Sequence, residues 1–365
     1  MQIRRAILKQ VRNFHDFDRS FEDGWTGRVP DALLLMGPNG SGKSTLLESI
    51  AALWQDLANS LGPEGGAASQ PATHLLRSVG LAAVEIINLA QEPLWVYVGQ
   101  DDLSRGFVAS HPEAHRFGLE YLGIPELGPD LSVQNYYTPP GETVLRTVLE
   151  PQYDEAWAEN LLERLTENRL GKRADLPNMV YLASESRLLL PLTERFSVQP
   201  EPEAYQWLAR YEPVTSRRGS LQNYLYNLKV VDEISFNEIA AQFGAFLPGK
   251  QLNGFDRRTG NLLIQIASGP SHPIEDLSSG EKQVLLMLAT ITRWLRPGGI
   301  VLVDEPDLHL HVSLATAFVS HLRRMVAEKG GQLIIASHMP ELWELFTDSH
   351  TVRLDASLAS KRAVQ

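Results

Sequence analysis

The 365-residue chain has no cysteine, which removes disulfides, thiolate nucleophiles and cysteine-bound zinc from its chemistry. Disulfides are rare in a reducing cytoplasm, and a cysteine-free chain fits that compartment. No apolar run approaches the roughly eighteen residues of a membrane span, and Met1-Gln-Ile-Arg-Arg5 lacks the apolar stretch of a secretory signal. A soluble cytoplasmic protein with no membrane partner is the expectation. Basic residues are also in deficit, with 33 Lys and Arg against 44 Asp and Glu for a net charge of −11. Broad non-specific binding to nucleic acid rests on Lys and Arg neutralising phosphates. Only local patches such as Lys172-Arg173, Arg217-Arg218 and Arg257-Arg258 keep nucleic acid open as a partner. No heptad repeat is sustained, which excludes a long coiled coil. The hydrophobic fraction of 43% is enough for a sizeable core at this length.

What is present begins with Gly37-Pro-Asn-Gly-Ser-Gly-Lys-Ser-Thr45. Ala32 to Met36 is a short apolar run bounded by turn chemistry, a buried strand, and Thr45 to Trp54 has helical spacing. A G-x-x-x-x-G-K-S pattern in that strand-turn-helix setting is a phosphate cradle. Gly37, Gly40 and Gly42 let the backbone, with Pro38, Asn39 and Ser41, wrap phosphates with its N–H groups inward, at the positive end of a helix starting near Lys43. Lys43 is expected at the β- and γ-phosphates, the Ser44 hydroxyl on Mg²⁺ and Thr45 at the α-phosphate.

Upstream, Met1 to Val11 reads as a strand, followed by a turn over Arg12 to Phe17 that could meet a nucleotide base. Asn59 to Thr73 is rich in Gly, Pro, Ala and Ser and reads as a loop. Val84–Ile87 and Leu94–Val98 read as paired strands, while 111–140 shows few clear elements. Tyr153 to Arg169 has the spacing of an amphipathic helix, and further helices are expected over Tyr205–Tyr211, Leu221–Val231 and Phe236–Phe246. Met179–Ala183 reads as a strand whose carboxyl end carries the polar turn Ser184-Glu-Ser-Arg187, where open α/β sheets place ligands. Leu252 to Ile266 reads as a hairpin.

Three further segments complete the chemistry. Ile300–Val303 is a buried strand that delivers Asp304 and Glu305 side by side at its carboxyl end. Asp304 is suited to hold Mg²⁺ through a water, and Glu305 to orient and polarise the water that attacks the γ-phosphate. Leu277-Ser-Ser-Gly-Glu-Lys-Gln283 opens a helix, and Ser278, Ser279, Gly280 and Glu281 at its N-terminus form an anion site or an ordinary helix cap. Leu333–Ser337 is another apolar strand, ending at His338.

These segments, in this order, resemble the ABC-type ATPase heads of the OLD-like, RecF-like and SMC-like group over about residues 1–54 and 250–354. Leu277 to Gln283 is similar to the Leu-Ser-Gly-Gly-Gln signature, with Ser279 and Glu281 as departures. Asp304-Glu-Pro-Asp-Leu-His-Leu-His311 resembles the Asp-Glu-Pro-Glu-x-His-Leu-His pattern of OLD-like ATPases, and Ser337-His-Met-Pro-Glu341 their histidine switch. Arg12-Asn13-Phe14 resembles the Asn-Phe-Arg turn that OLD-like ATPases carry near the base. The resemblance implies an α/β P-loop NTPase fold: an ABC-type head with a mixed central sheet flanked by helices (1–54 and 250–365) and a mainly helical insert (55–249). It implies that Ser278, Ser279, Gly280 and Glu281 meet the γ-phosphate of ATP held by a second copy in a two-fold dimer, and that His338 contacts the γ-phosphate. His309 and His311 fall in the subunit-contacting loop and read as interface or core residues. The glutamine of the Q-loop is not evident, and Ser184 to Arg187 occupies its place. No Toprim nuclease cluster follows His338, so a stand-alone ATPase that controls a separate effector, a nuclease or toxin in anti-phage defence, is the leading expectation. A RecF-like DNA-binding ATPase and, behind it, an ABC transporter subunit stay open.

Overall fold

The computed structural model describes residues 1–60, 75, 79–89, 92–112, 115–121, 124–127, 133–137, 145–149, 176–189, 205–213, 220–256, 261–267 and 269–354. Strands β1 (Gln2–Val11) and β2 (Phe14–Ser20) form an antiparallel hairpin. Its turn is Arg12 and Asn13 alone, so Phe14 to Phe17, expected in the turn, is strand. The reason is burial: Phe14 pairs with Val11 and Phe17 with Leu8, and both rings sit in the core. All five residues of β3 (Ala32–Met36) are buried, and α1 (Lys43–Ser60) follows the glycine loop. Strands β4 (Leu81–Ile87) and β5 (Leu94–Gln100) pair antiparallel as their patterning predicts, and β4 also pairs with β1.

After α2 (Asp101–Ser110) come β6 (His115–Tyr121), β7 (Ile124–Leu127), β8 (Val133–Tyr137) and β9 (Leu145–Leu149). The stretch 111–140, which shows few clear elements in sequence, carries β6, β7 and β8 among its described residues. The helix expected over Tyr153 to Arg169 and the loop expected beyond Ser60 lie outside the described residues. Strand β10 (Met179–Leu182) forms as predicted, but the expected helix over Tyr205–Tyr211 is instead the strand β11 (Leu208–Arg210), hydrogen-bonded parallel to β10. Tertiary pairing overrides local spacing there. Helices α3 (Leu221–Val231) and α4 (Glu233–Phe246) meet at Asp232, whose carboxylate caps the second by accepting from the Ser235 N–H at 3.2 Å. The hairpin β12 (Lys250–Phe255) and β13 (Leu262–Ile266) adds the short β14 (His272–Pro273). The remainder alternates: α5 (Ser279–Trp294), β15 (Ile300–Asp304), α6 (Val312–Glu328), β16 (Gln332–Ser337), α7 (Pro340–Trp343) and β17 (Thr351–Arg353).

One six-stranded sheet has the order β2-β1-β4-β5-β6-β9 and is antiparallel except between β5 and β6; the other, β11-β10-β15-β16-β3-β17, is parallel throughout. The mixed sheet is thus the flanking one. The expected division at 54 and 250 is not a division in space, since β4 and β5 join β1 and since β10 and β11 join the parallel sheet. Among its described residues the insert carries β4 to β11 beside α2 to α4, where the sequence predicts a mainly helical segment.

Helix α1 lies between the sheets, touching β15 and β16 on one side and β4 and β5 on the other. This explains why Leu46, Leu47, Ile50, Leu53 and Trp54 are all buried. A reciprocal tryptophan pair fixes it: Trp54 Nε1 donates to the Trp207 carbonyl at 2.8 Å and Trp207 Nε1 to the Trp54 carbonyl at 2.6 Å, with the rings stacked 4.1 Å apart. On the far face of the parallel sheet, α3 to α6 bury Phe236, Phe243 and Phe318. Strands β3, β15 and β16 are thereby held parallel and adjacent, with their carboxyl ends on one edge.

Candidate functional site

At that edge three loops converge. The loop after β3 carries 37–42, with Pro38, Asn39 and Gly40 exposed at its crest. Lys43 Nζ folds back onto the Gly37 and Pro38 carbonyls at 2.8 and 3.0 Å. Burial depresses the Lys43 ammonium below its ordinary value, against the pull of Glu305, Asp304 and Asp307. A phosphate offers the same ammonium stronger, charge-assisted acceptors than two carbonyls. The loop is braced from the β1–β2 hairpin: Asn13 Nδ2 donates to the Gly40 carbonyl at 2.7 Å, and Arg12 pairs with Glu48 at 2.9 Å on α1. Asn13, expected near a base, is therefore placed at the phosphate loop itself. Phe14 presses on Gly42, where an added Cβ would lie 2.6 Å from the ring edge.

Asp304 ends β15 almost fully buried. Its Oδ2 accepts from the Ser184 hydroxyl at 3.2 Å. Burial lifts this carboxyl above its usual range; Ser44 opposes the rise, the Glu305 charge adds to it, and Ser184 and Arg187 oppose it. Asp304 Oδ1 is buried with no hydrogen-bond partner among the described residues. The exposed Ser44, close enough to act on this carboxylate, and the free Oδ1 suit Mg²⁺, which takes one or two protein oxygens and completes its shell with phosphate and water. No cluster of three or more His, Asp or Glu side chains that would form a closed metal cage occurs among the described residues.

Glu305 has a left-handed backbone, φ 48°, which is uncommon for a residue with a side chain. Its carboxylate lies 3.3 Å from His338 Nδ1, and both side chains are partly exposed. A cavity of about 480 Å³ runs from Gly37, Pro38 and Asn39 to His338 and Trp343, so the histidine and the loop border one space. Asp307, which the sequence reading left without a role, is buried and accepts from the Ser337 hydroxyl at 2.8 Å, while Ser337 Oγ also accepts from the Met339 N–H at 3.0 Å. His338 is thus carried on a fixed turn.

The turn after β10 supplies a residue that the sequence named only as part of a polar turn. Arg187 is fully buried, and its guanidinium donates to the carbonyls of Asp304 at 2.6 Å, Glu305 at 2.7 Å and Leu182 at 3.3 Å, and to Gln283 Oε1 at 2.7 Å. Desolvation pulls this arginine down to about 10, so it stays charged at neutral pH. Glu185 is exposed; Ser184 is the residue of this turn that reaches Asp304. The available signal was a long basic side chain one turn past a strand's carboxyl end, and a glutamine on the apolar face of α5.

The N-terminus of α5 forms a capping box. Ser278 Oγ accepts from the Glu281 N–H at 3.4 Å, and the Glu281 carboxylate accepts from the Ser278 N–H at 2.9 Å and from Lys250 at 2.7 Å. Ser278 and Ser279 are exposed. Gly280 is buried, because it meets the His309 carbonyl so closely that a Cβ would stand 2.5 Å from that oxygen. His309 and His311 are exposed rather than core, and His311 caps α6.

Comparison with known proteins adds the following. Residues 268–344 match the family described as "AAA domain, putative AbiEii toxin, Type IV TA system". Over 109 residues the chain is 33% identical to the "Retron Ec83 probable ATPase" of Escherichia coli, covering 27% of this chain and 20% of that protein. It is 36% identical over 64 residues to "Protein ea59" of Escherichia phage lambda, covering 18% of this chain and 12% of that one. The chain thus spans a fifth or less of the curated relatives it matches. Solved structures that resemble it include an Smc head bound to the C-terminal winged-helix domain of ScpA (TM-score 0.48, 14% identity, 94% of this chain and 91% of that one). The SMC head domain of Thermotoga maritima superposes at TM-score 0.40 with 15% identity, over 94% of this chain and 92% of that one.

Proposed function

We propose that the chain is an ABC-type P-loop ATPase of the OLD-like and SMC-like group, that it hydrolyses ATP in a composite site and that it uses the cycle to control a partner. The observation that carries the reading is the adjacency of Lys43, Asp304, Glu305 and His338 at the ends of three neighbouring parallel strands. In this reading the loop amides and Lys43 take the triphosphate, and Ser44 and Asp304 take the metal. Mg²⁺, when bound, neutralises charge that develops on the phosphates. The Glu305 carboxylate accepts a proton from, and orients, the attacking water, and His338, held beside it, donates a hydrogen bond to the γ-phosphate.

The exposed residues Ser278 and Ser279, with Glu281 and the N-terminal turn of α5, are the part of the site that a second copy would complete. A helix N-terminus favours an anion. Two copies related by a two-fold axis then close over two nucleotides, and the γ-phosphate biases the closed state because it touches the second copy only there. A retron ATPase and a toxin-antitoxin family among the relatives support an effector partner, a nuclease or toxin of the anti-phage kind. Glu305→Gln with ATP and Mg²⁺ is expected to abolish phosphate release and to trap a dimer visible by light scattering. A variant that stays monomeric with undiminished turnover would rule the composite site out.

A further inference from the structure

Glu305 is the residue the proposed chemistry most depends on, and its backbone is in a form that costs a non-glycine residue on the order of 1–3 kcal/mol. Something must over-determine it. Its N–H is fixed by the Ala336 carbonyl of β16 at 2.8 Å. Its own carbonyl, and that of Asp304 before it, are both claimed by Arg187, at 2.7 and 2.6 Å. One planar guanidinium therefore holds successive carbonyls on either side of the left-handed residue, a geometry that a lysine ammonium on a flexible stem does not reproduce. The same guanidinium donates through Nε to Gln283 Oε1 at 2.7 Å, and Gln283 Nε2 returns a bond to the Arg187 carbonyl at 2.7 Å. Gln283 lies in the first turns of α5, two residues after Glu281 of the capping box.

We propose that Arg187 is a positioning residue: it locks the Asp304–Glu305 backbone in the form that aims the Glu305 carboxylate toward His338, and it ties that form to the N-terminal turn of α5 through Gln283. The inference rests on the hydrolytic role of Glu305. Arg187 itself is buried beneath the carboxylates and touches neither phosphate nor water in this role. Displacement of α5 at its N-terminus is then felt at Glu305 through two side chains.

The test compares Arg187→Lys and Gln283→Met with the unaltered chain by steady-state ATP hydrolysis, by binding of a fluorescent ATP analogue, and by thermal melting. Misplacement of a catalytic group by about an ångström costs about 100-fold. The expected result is a fall in kcat of that order for Arg187→Lys, and of about 5- to 10-fold for Gln283→Met, which loses both hydrogen bonds to Arg187. Nucleotide affinity should stay within about threefold in both, because the phosphate loop is untouched; a loss of fold would lower both together. Should Arg187→Lys fail to melt cooperatively, Gln283→Met decides. Turnover within twofold of the unaltered chain in both folded variants, or in Gln283→Met alone when Arg187→Lys does not fold, overturns the inference. Absence of turnover in the unaltered chain overturns the hydrolytic reading itself and this inference with it.

Discussion

An alanine at position 42 meets two separate obstacles. Gly42 has φ 98°, and a left-handed backbone costs a residue with a Cβ about 1–2 kcal/mol. The new methyl would also stand 2.6 and 2.8 Å from Phe14 Cζ and Cε2. That ring cannot swing aside, because it is buried in the core and packed against Phe17 at a centroid distance of 5.0 Å. Overpacking of this kind costs about 1–3 kcal/mol, so Gly42→Ala should cost about 2–5 kcal/mol in all. Gly40→Ala is the internal control: φ is 79° but nothing stands within 4 Å of the added carbon, which leaves only the backbone cost of about 1–2 kcal/mol. Urea unfolding of the ligand-free protein, with the slope checked for constancy, measures both. A double-mutant cycle with Phe14→Leu isolates the wedge and should return a favourable coupling of about 1–3 kcal/mol. Gly42→Ala no worse than Gly40→Ala, or strict additivity with Phe14→Leu, would show that the hairpin does not brace the loop.

Other perturbations address the carboxylate and the helix behind the loop. Asp304→Asn should raise the melting temperature of the ligand-free protein at neutral pH while erasing the extra stabilisation that Mg²⁺ adds to ATP. The sign follows from burial: the carboxyl is raised above 3.8 in the fold, so its contribution is fully present below the unfolded value and is lost as pH rises through the folded one. Equal stability of the two proteins across pH 4–8 would contradict it. Trp207→Ala removes a ring stacked on Trp54 and both reciprocal hydrogen bonds, and should cost about 3–5 kcal/mol, read as a lower denaturation midpoint.

The strands that carry the site were legible because each is buried on both faces, and such strands write themselves as unbroken apolar runs: Ala32–Met36, Ile300–Val303 and Leu333–Ser337. Helix α3 was legible to the residue from its periodicity. Leu208–Arg210 was not, since a three-residue strand has no period and exists through its pairing with β10. Arg187 was visible as a residue and invisible as a function, because its partners are four carbonyl or amide oxygens drawn from residues up to 118 positions away.

Sequence alone determined the chemistry at the strand ends: a glycine loop with Lys43 and Ser44, an acidic pair at Asp304 and Glu305, and a histidine at 338, each tied to a local pattern that backbone sterics and burial make specific. Tertiary structure decided how those parts are held. It set the left-handed turn at Glu305, the Asn13 and Phe14 brace on the loop, the orphaned oxygen of Asp304 and the buried arginine that joins β15 to α5. The division has a physical cause. Strand and helix patterns are written in residues a few positions apart, whereas hydrogen bonds and desolvation in a closed core depend on which distant segments the fold brings within 3 Å.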